Sequence, residues 1–228
     1  MGDSKLDVKK LKLRHFPCDL SQPENIDAAS REVEAELARE APAGRILLIN
    51  NSGFGVYGSF PEPSVEQNLE MVAVNVGAVL HLTGRLLPLL KARGGAVMTI
   101  GSTASFQPTP HFATYGATKA FVLNWSLALN EELRGSGLRA IAVCPGPTST
   151  QFFRRAGLKE GSVADSLGQT SEEVVREAIA ALGTGRSLLV TGWKNKIQAF
   201  FGGMLPKPLT ARVAGIMLKR YRLSAVPK

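Results

Sequence analysis

Cysteine is scarce in this chain of 228 residues: there are two, Cys18 and Cys144, too few for a disulfide framework. The three histidines, His15, His81 and His111, are scattered without metal-ligand spacing, so no metal centre is expected. Long uninterrupted apolar runs are missing too. The best candidate, Val72 to Leu90, carries Asn75, His81 and Arg85, each costly in hydrocarbon, which argues against a spanning helix. Nothing resembling a signal peptide opens the chain, and with so little cysteine a reducing, cytoplasmic setting is expected. Repeats and low-complexity segments are absent, and 44% apolar with 20% charged residues excludes collagen-like, mucin-like and largely disordered classes. The most informative absence is of acid. From Ala178 to Lys228 there is no Asp or Glu against nine bases, whereas residues 1–177 hold 18 bases and 19 acids. The net charge of +8 therefore sits in the tail, which weakens a nucleic-acid reading that would spread bases over a binding face.

What is present alternates between strand and helix. Residues 10–16 alternate weakly, as a strand does, and Ser21 with Pro23 and Glu24 predicts a capped helix running to Glu40. Ile46 to Ile49 is a short apolar run between Gly44 and Asn50-Asn51-Ser52-Gly53, as expected of a buried parallel strand. Ser64 and Gln67 form a capping box for a long helix to about Leu90. A strand over 96–100, a Ser/Thr/Pro loop, a helix over 112–133 and a strand over 138–144 follow, then a helix over 171–182 and a strand over 187–191. Such alternation of apolar strands with helices predicts a doubly wound parallel sheet of the α/β class, covered by helices on both faces. Ligands of such sheets lie beyond the strand C-termini.

At those positions stand Asn50-Asn51-Ser52-Gly53, Gly101-Ser102-Thr103 and Pro145-Gly146. Tyr115 and Lys119 are four apart and share a helix face. A phenol titrates near 10 in water, and a neighbouring ammonium lowers that value, so the two make an acid/base unit. Ser102 lies thirteen residues before Tyr115 and can hydrogen-bond a substrate oxygen. An isolated Tyr-x-x-x-Lys means little. Together with Ser102, Asn75, the Asn-Asn-Ser-Gly turn and Pro145-Gly146, it makes the sequence resemble the short-chain dehydrogenase/reductase family from about Phe16 to Thr191, nearest to its steroid dehydrogenase and ketoacyl reductase branch.

The resemblance implies an oxidoreductase moving hydride between NAD or NADP and a small-molecule carbonyl or secondary alcohol, hydrophobic in character. It implies that Tyr115 is the general acid/base, that Lys119 lowers its pKa and binds the nicotinamide ribose, that Ser102 positions the carbonyl, and that Asn75 holds a relay water. Asp19 corresponds to the aspartate at the adenine ring. Asn50, Asn51 and Gly53 correspond to the turn beside the adenosine, and Pro145, Gly146 and Thr150 to the segment flanking the nicotinamide. It also implies a homo-oligomer.

One departure stands out. The family's opening strand and Thr-Gly-x-x-x-Gly-x-Gly turn are missing before Asp19, so the sheet is expected to lack its first two strands. Gly53 to Gly58 matches Gly-x-Gly-x-x-Gly literally, but Pro61 and Pro63 separate it from the next helix, and these glycines are expected to keep a loop narrow instead. The expectation is a truncated reductase; the alternative is a non-catalytic scaffold or partner subunit that binds cofactor poorly. Residues 1–192 are expected to form the incomplete Rossmann-like domain and residues 193–228 a basic, amphipathic helical segment packed on it or appended to it. In that segment Ile197, Phe200, Phe201, Met204 and Leu205, then Leu209, Val213, Ile216, Met217 and Tyr221, recur at helical spacing. This suits peripheral contact with an anionic membrane surface as well as helices capping the substrate cleft, and both readings stay open.

Overall fold

The computed structural model describes residues 12–41, 43–148, 152, 156 and 168–219. Four parallel strands, β1 (Ile46–Asn50), β2 (Gly95–Ile100), β3 (Leu138–Cys144) and β4 (Leu188–Val190), lie side by side in chain order. Between and after them run α1 (Pro23–Glu40), α2 (Val65–Val72), α3 (Ala78–Arg93), α4 (Ala113–Glu132), α5 (Ser171–Leu182), α6 (Trp193–Met204) and α7 (Lys207–Lys219). Register is tight where β2 meets β1. Gly95, at φ +141°, pairs with Ile46, and a methyl group there would lie 1.8 Å from the Ile46 carbonyl oxygen. Only glycine fits that approach.

Alternation along the strands divides the core. On one face Val97, Leu138 and Ala140 meet Leu86 and Leu90 of α3 and Leu129 and Leu133 of α4, with Ile46 and Leu48 at the margin. α1 packs outside α3, where Asp27 accepts from Arg85 at 2.6 and 3.0 Å and bonds His81 at 2.6 Å. On the other face Met98, Ile141, Val143 and Leu189 meet Ala178 and Ala181 of α5. That second face is covered over β2 to β4 only. Leu47 and Ile49 of β1 remain 37% and 46% exposed, so helices do not cover both faces throughout as the pattern predicted.

Other expectations need correction. Residues 12–16 are not a strand: they run exposed along α1, where Lys12 pairs with Glu40 and Arg14 with Glu36, so their charges hold them to the helix. Residues 10 and 11 lie outside the described residues. Ser21 does not cap α1, because its hydroxyl donates to Asp19 Oδ1 and Gln22 takes the cap position without a side-chain bond. The Ser64–Gln67 capping box does form. The long helix it opens is interrupted at Ala73–Gly77 by a π-helical turn that carries Asn75. From Val65 to Arg93 this helix is long and apolar enough to cross a membrane, yet Leu86 and Leu90 lie in the core and Arg85 is bound to α1.

Candidate active site

The C-terminal ends of β1, β2 and β3 and the start of α4 converge on one cleft of about 810 Å³, whose lining includes Gly53, Ser102, Tyr115, Lys119, Pro145 and Gly146. Ser102 caps a short 3-10 turn, Thr103–Phe106, by accepting from the Ala104 amide at 3.1 Å, and its hydroxyl stands close enough to the Tyr115 phenol to favour the phenolate. Ser105 ties this turn to α4: its hydroxyl donates to the Lys119 carbonyl at 2.8 Å and accepts from the Ser102 amide at 3.2 Å. The turn thereby brings Ser102 back over the helix start.

Lys119 is buried, and its Nζ donates to the Ile100 carbonyl at 2.8 Å. It stands 5.8 Å from the centre of the Tyr115 ring. Burial, with no carboxylate bonded to it among the described residues, pushes the Lys119 ammonium down to about 8. Burial pushes the Tyr115 phenol up to about 12, against the opposing effect of Ser102. The lowered phenol pKa expected from the sequence is therefore not found: the ammonium is turned to Ile100, and desolvation outweighs it. The neighbouring Cys144 thiol, also buried, is raised to about 11.

Asn75 is 2% exposed and fully engaged. Its amide donates to the Phe54 carbonyl at 2.8 Å and to Thr118 Oγ1 at 3.1 Å, and its oxygen accepts from the Phe54 amide at 3.0 Å. Gly53 packs closely against it: a methyl group there would come within 3.0 Å of Asn75 Oδ1 and 3.4 Å of Lys119 Nζ. Asn51 also lines the cleft. Asn50 is buried and donates to Thr83 Oγ1 at 3.0 Å, its own oxygen being unpartnered among the described residues. Asp19 is not brought to Tyr115. It sits exposed in a tight turn, accepting from the Ser21 amide at 2.9 Å, next to Leu20, which lines a small hollow with Asn50, Asn51 and Val74. Thr150 lies outside the described residues.

Phe112, in the loop before Tyr115, lines the cleft, and so does Phe152, which carries no sequence signal. Tyr57, Phe112, Tyr115 and Phe152 form a chain of rings with successive contacts of 5.3 to 5.6 Å for the first three and 5.2 Å for the last pair. Gly55 lets that wall close, since a methyl group there would meet Tyr115 and Phe152 at 2.9 Å. His111 does not line the cleft; it bonds Ser59 at 2.9 Å beside Tyr57. From the tail, Gln198 of α6 and Ala214, Met217 and Leu218 of α7 complete the lining. Tyr57 Oη donates to the Leu218 carbonyl at 3.3 Å and Lys207 Nζ to the Phe106 carbonyl at 2.8 Å, which anchors α7 over the cleft. Phe200 and Phe201 take no part in this roof, being 59% and 53% exposed. Both the roof and the ring wall are made by long-range closure of loops and tail, which no local pattern records.

A family model for short chain dehydrogenases matches residues 4–161, more than half of the chain. The chain belongs to the short chain dehydrogenase family. Serine 3-dehydrogenase of Rhizobium radiobacter is 35% identical to this short chain dehydrogenase over 138 residues, 59% of this chain and 54% of that protein. Sulfoacetaldehyde reductase 2 of Chromohalobacter salexigens is 27% identical over 178 residues, 72% of this chain and 69% of that one. The chain thus spans about half the length of the first of these relatives. Among solved structures, a short-chain dehydrogenase from Sphingobium yanoikuyae in complex with NADPH superposes with a TM-score of 0.68 at 28% identity, over 93% of this chain and 77% of that one. One from Burkholderia cenocepacia J2315 in complex with NADP gives 0.70 at 25% identity, over 87% and 79%.

The nicotinamide and ribose end of such a cofactor fits the residues present: Gly53, Tyr115, the Lys119 donor, Pro145 and Gly146 line one open cleft, and Gly53 brings bare backbone beside Lys119 Nζ. The diphosphate end is served differently. Gly53 to Gly58 runs through irregular backbone that opens no helix, and Gly58 is packed against the Glu62 backbone. Among the described residues no glycine-rich turn opens a helix at this edge of the sheet.

Proposed function

We propose that this short chain dehydrogenase carries out nicotinamide-dependent reduction of an apolar carbonyl compound, or oxidation of the matching secondary alcohol, with NAD or NADP. The carrying observation is the buried Lys119 four residues from Tyr115, with Ser102 beside the phenol and all three lining one largely apolar cleft. A buried ammonium with no bonded carboxylate is expensive, and a purely structural scaffold has no use for it. That weighs against the non-catalytic reading. The bound nicotinamide supplies the hydride acceptor or donor.

The rest is the work of this chain. Ser102 orients the substrate oxygen toward Tyr115, and Tyr115 Oη gives up its proton to that oxygen on reduction. A phenol held above its value in water is fully protonated at neutral pH, the state that reduction requires. Oxidation requires the phenolate, which Lys119 stabilises once its ammonium turns from Ile100 toward the cleft. Lys119 Nζ would also hold the ribose hydroxyls of a bound nicotinamide nucleotide. Both amide hydrogens of Asn75 are committed, so a relay water would be held at the second lone pair of its oxygen. Pro145 and Gly146 would flank the nicotinamide ring, and Asn50, Asn51 and Asp19 would border the adenosine; the same role is proposed for Thr150 from its place in the sequence alone. The ring wall of Tyr57, Phe112 and Phe152 supports an apolar substrate.

Exposed Leu69, Val72 and Leu80 on the α2–α3 helix and Phe121 on α4 support assembly as a homo-oligomer through the long helices. Free Cys18 and Cys144 suit a cytoplasmic setting. The test of the activity is reduction of an apolar ketone at millimolar NADH or NADPH. Turnover that Tyr115→Phe leaves at the level of the unaltered chain would overturn the assignment.

A further inference from the structure

The C-terminal helices are amphipathic the wrong way round for a soluble surface. α6 turns Asn195, Ala199 and Gly202 inward, while Trp193, Ile197, Phe200, Phe201 and Met204 face outward, Trp193 and Met204 each 68% exposed. α7 repeats the arrangement, with Thr210 and Ala214 buried and Leu209, Val213, Ile216 and Met217 exposed. In both helices the outward residues follow the same spacing, which at 3.6 residues per turn gathers them on a face about 100° wide. A surface helix ordinarily points such a stripe at the core, and exposed apolar patches of this kind mark a surface that something else covers.

The charges say what covers it. Lys194, Lys196, Arg212 and Lys219 are exposed on these helices, Lys207 being turned back to the Phe106 and Gly202 carbonyls, and no acid occurs between Ala178 and Lys228. Helical spacing places Lys196 and Arg212 on the same flank of their stripes. A second copy docked through this face by a twofold axis would set basic rim against basic rim. A bilayer with anionic headgroups satisfies both features at once, apolar residues entering the acyl boundary and lysine and arginine reaching the phosphates. Met217 joins this face to the active-site cleft, being at once half-exposed on the stripe and part of the cleft lining. We infer that α6 and α7 dock the protein on an anionic lipid surface with the mouth of the cleft laid against it, so that a bilayer-dissolved carbonyl or alcohol enters past Met217. The docking stands independently of the proposed chemistry; the route of substrate entry rests on it.

The test is cosedimentation of the whole 228-residue chain with vesicles of phosphatidylcholine alone or with a third of phosphatidylglycerol, in the absence of cofactor and substrate. Expected are binding to the anionic vesicles only and loss of binding as salt rises, because the attraction is screened within about 8 Å at physiological ionic strength. At least about a tenfold loss is expected in Phe200→Ser/Phe201→Ser and in Lys196→Glu/Arg212→Glu, with melting temperatures unchanged because these side chains face outward. No binding, or equal binding to both vesicles, overturns the proposal. So does a lower melting temperature in the phenylalanine variant, which would mean the chain itself covers this face, or loss of self-association, which would mean a second copy does. A dead Tyr115 assay with intact vesicle binding would leave the docking standing and remove only the chemistry. In an active preparation, anionic vesicles should lower KM for a lipid-soluble ketone and leave that of a short water-soluble one unchanged; an unchanged KM for both overturns the entry route.

Discussion

Lys119 is held 7% exposed by a single carbonyl hydrogen bond, and its displacement has a measurable consequence. Its pKa falls from 10.5 to about 8 on folding, so between those values the unfolded chain binds more protons than the folded one and stability rises with pH. Below about 8 the full burial cost is present. Relative to Lys119→Met, which has no such proton to lose, the melting temperature of the unaltered chain should therefore climb as pH is raised from 8 to 10.5. A difference that stays flat across that window would show that the ammonium is not desolvated. Tyr115→Phe addresses the other half of the pair. It should lower kcat by about 10² to 10⁴, the usual worth of a positioned acid, while nicotinamide affinity holds because the ribose contact belongs to Lys119. Gly55→Ala tests the wall: its methyl group would sit 2.9 Å from Tyr115 and Phe152, and thermal unfolding should report a loss of about 1 to 3 kcal/mol from overpacking.

The π-helical turn between α2 and α3 is the element that joins fold to site. An inserted residue rotates Asn75 into the loop after β1, where its three hydrogen bonds fix the Phe54 backbone and Thr118. Such single-turn insertions concentrate at functional sites. Removing the amide should leave the Phe54 amide and carbonyl unpartnered, so Asn75→Ala is expected to cost at least about 1 to 3 kcal/mol in a urea titration. An unchanged midpoint would mean that the loop is held by other contacts. The capping box at Ser64 was readable because it depends on residues three apart. The π turn was not, since adding one residue to a long apolar helix leaves the apolar periodicity nearly intact. Lys12 to Phe16 misled in the opposite sense: alternation of charge and apolar residue looks like a strand, but the partners of Lys12 and Arg14 are on α1, more than twenty residues away.

At the scale of the molecule, the parallel sheet followed from βα alternation, because parallel strands need crossovers; the order β1-β2-β3-β4 is seen only in the structure. The grouping followed for Ser102 and Pro145 from their places at strand ends, and for Tyr115 and Lys119 from their spacing of four at the start of α4. What could not be read was coverage: which face of β1 is bare, and that the tail roofs the cleft through Leu218 rather than through Phe200 and Phe201. These depend on contacts between segments far apart in the chain. Without a glycine-rich turn at a helix N-terminus, nicotinamide dinucleotides lose several charge-assisted backbone bonds, each worth about 1.5 to 3 kcal/mol. Calorimetric titration of this chain should accordingly show binding at least about a hundredfold weaker than in a relative carrying that turn. Micromolar affinity would mean that other donors take its place.

β1 sets the last expectation. Among the described residues it is bonded on one side only, to β2, and its outer face presents Leu47 and Ile49. An unpaired strand with an apolar face is a template for pairing with further strands. A charge at Leu47 should interrupt that without disturbing the core, because Leu48, and not Leu47, packs toward α3 and α4. Leu47→Lys in the 228-residue chain is therefore expected to reduce concentration-dependent aggregation in light scattering while changing stability by no more than about 0.5 kcal/mol, as for a surface position. A loss of about 2 to 5 kcal/mol, the cost of excavating a buried leucine, would mean that this face is covered after all.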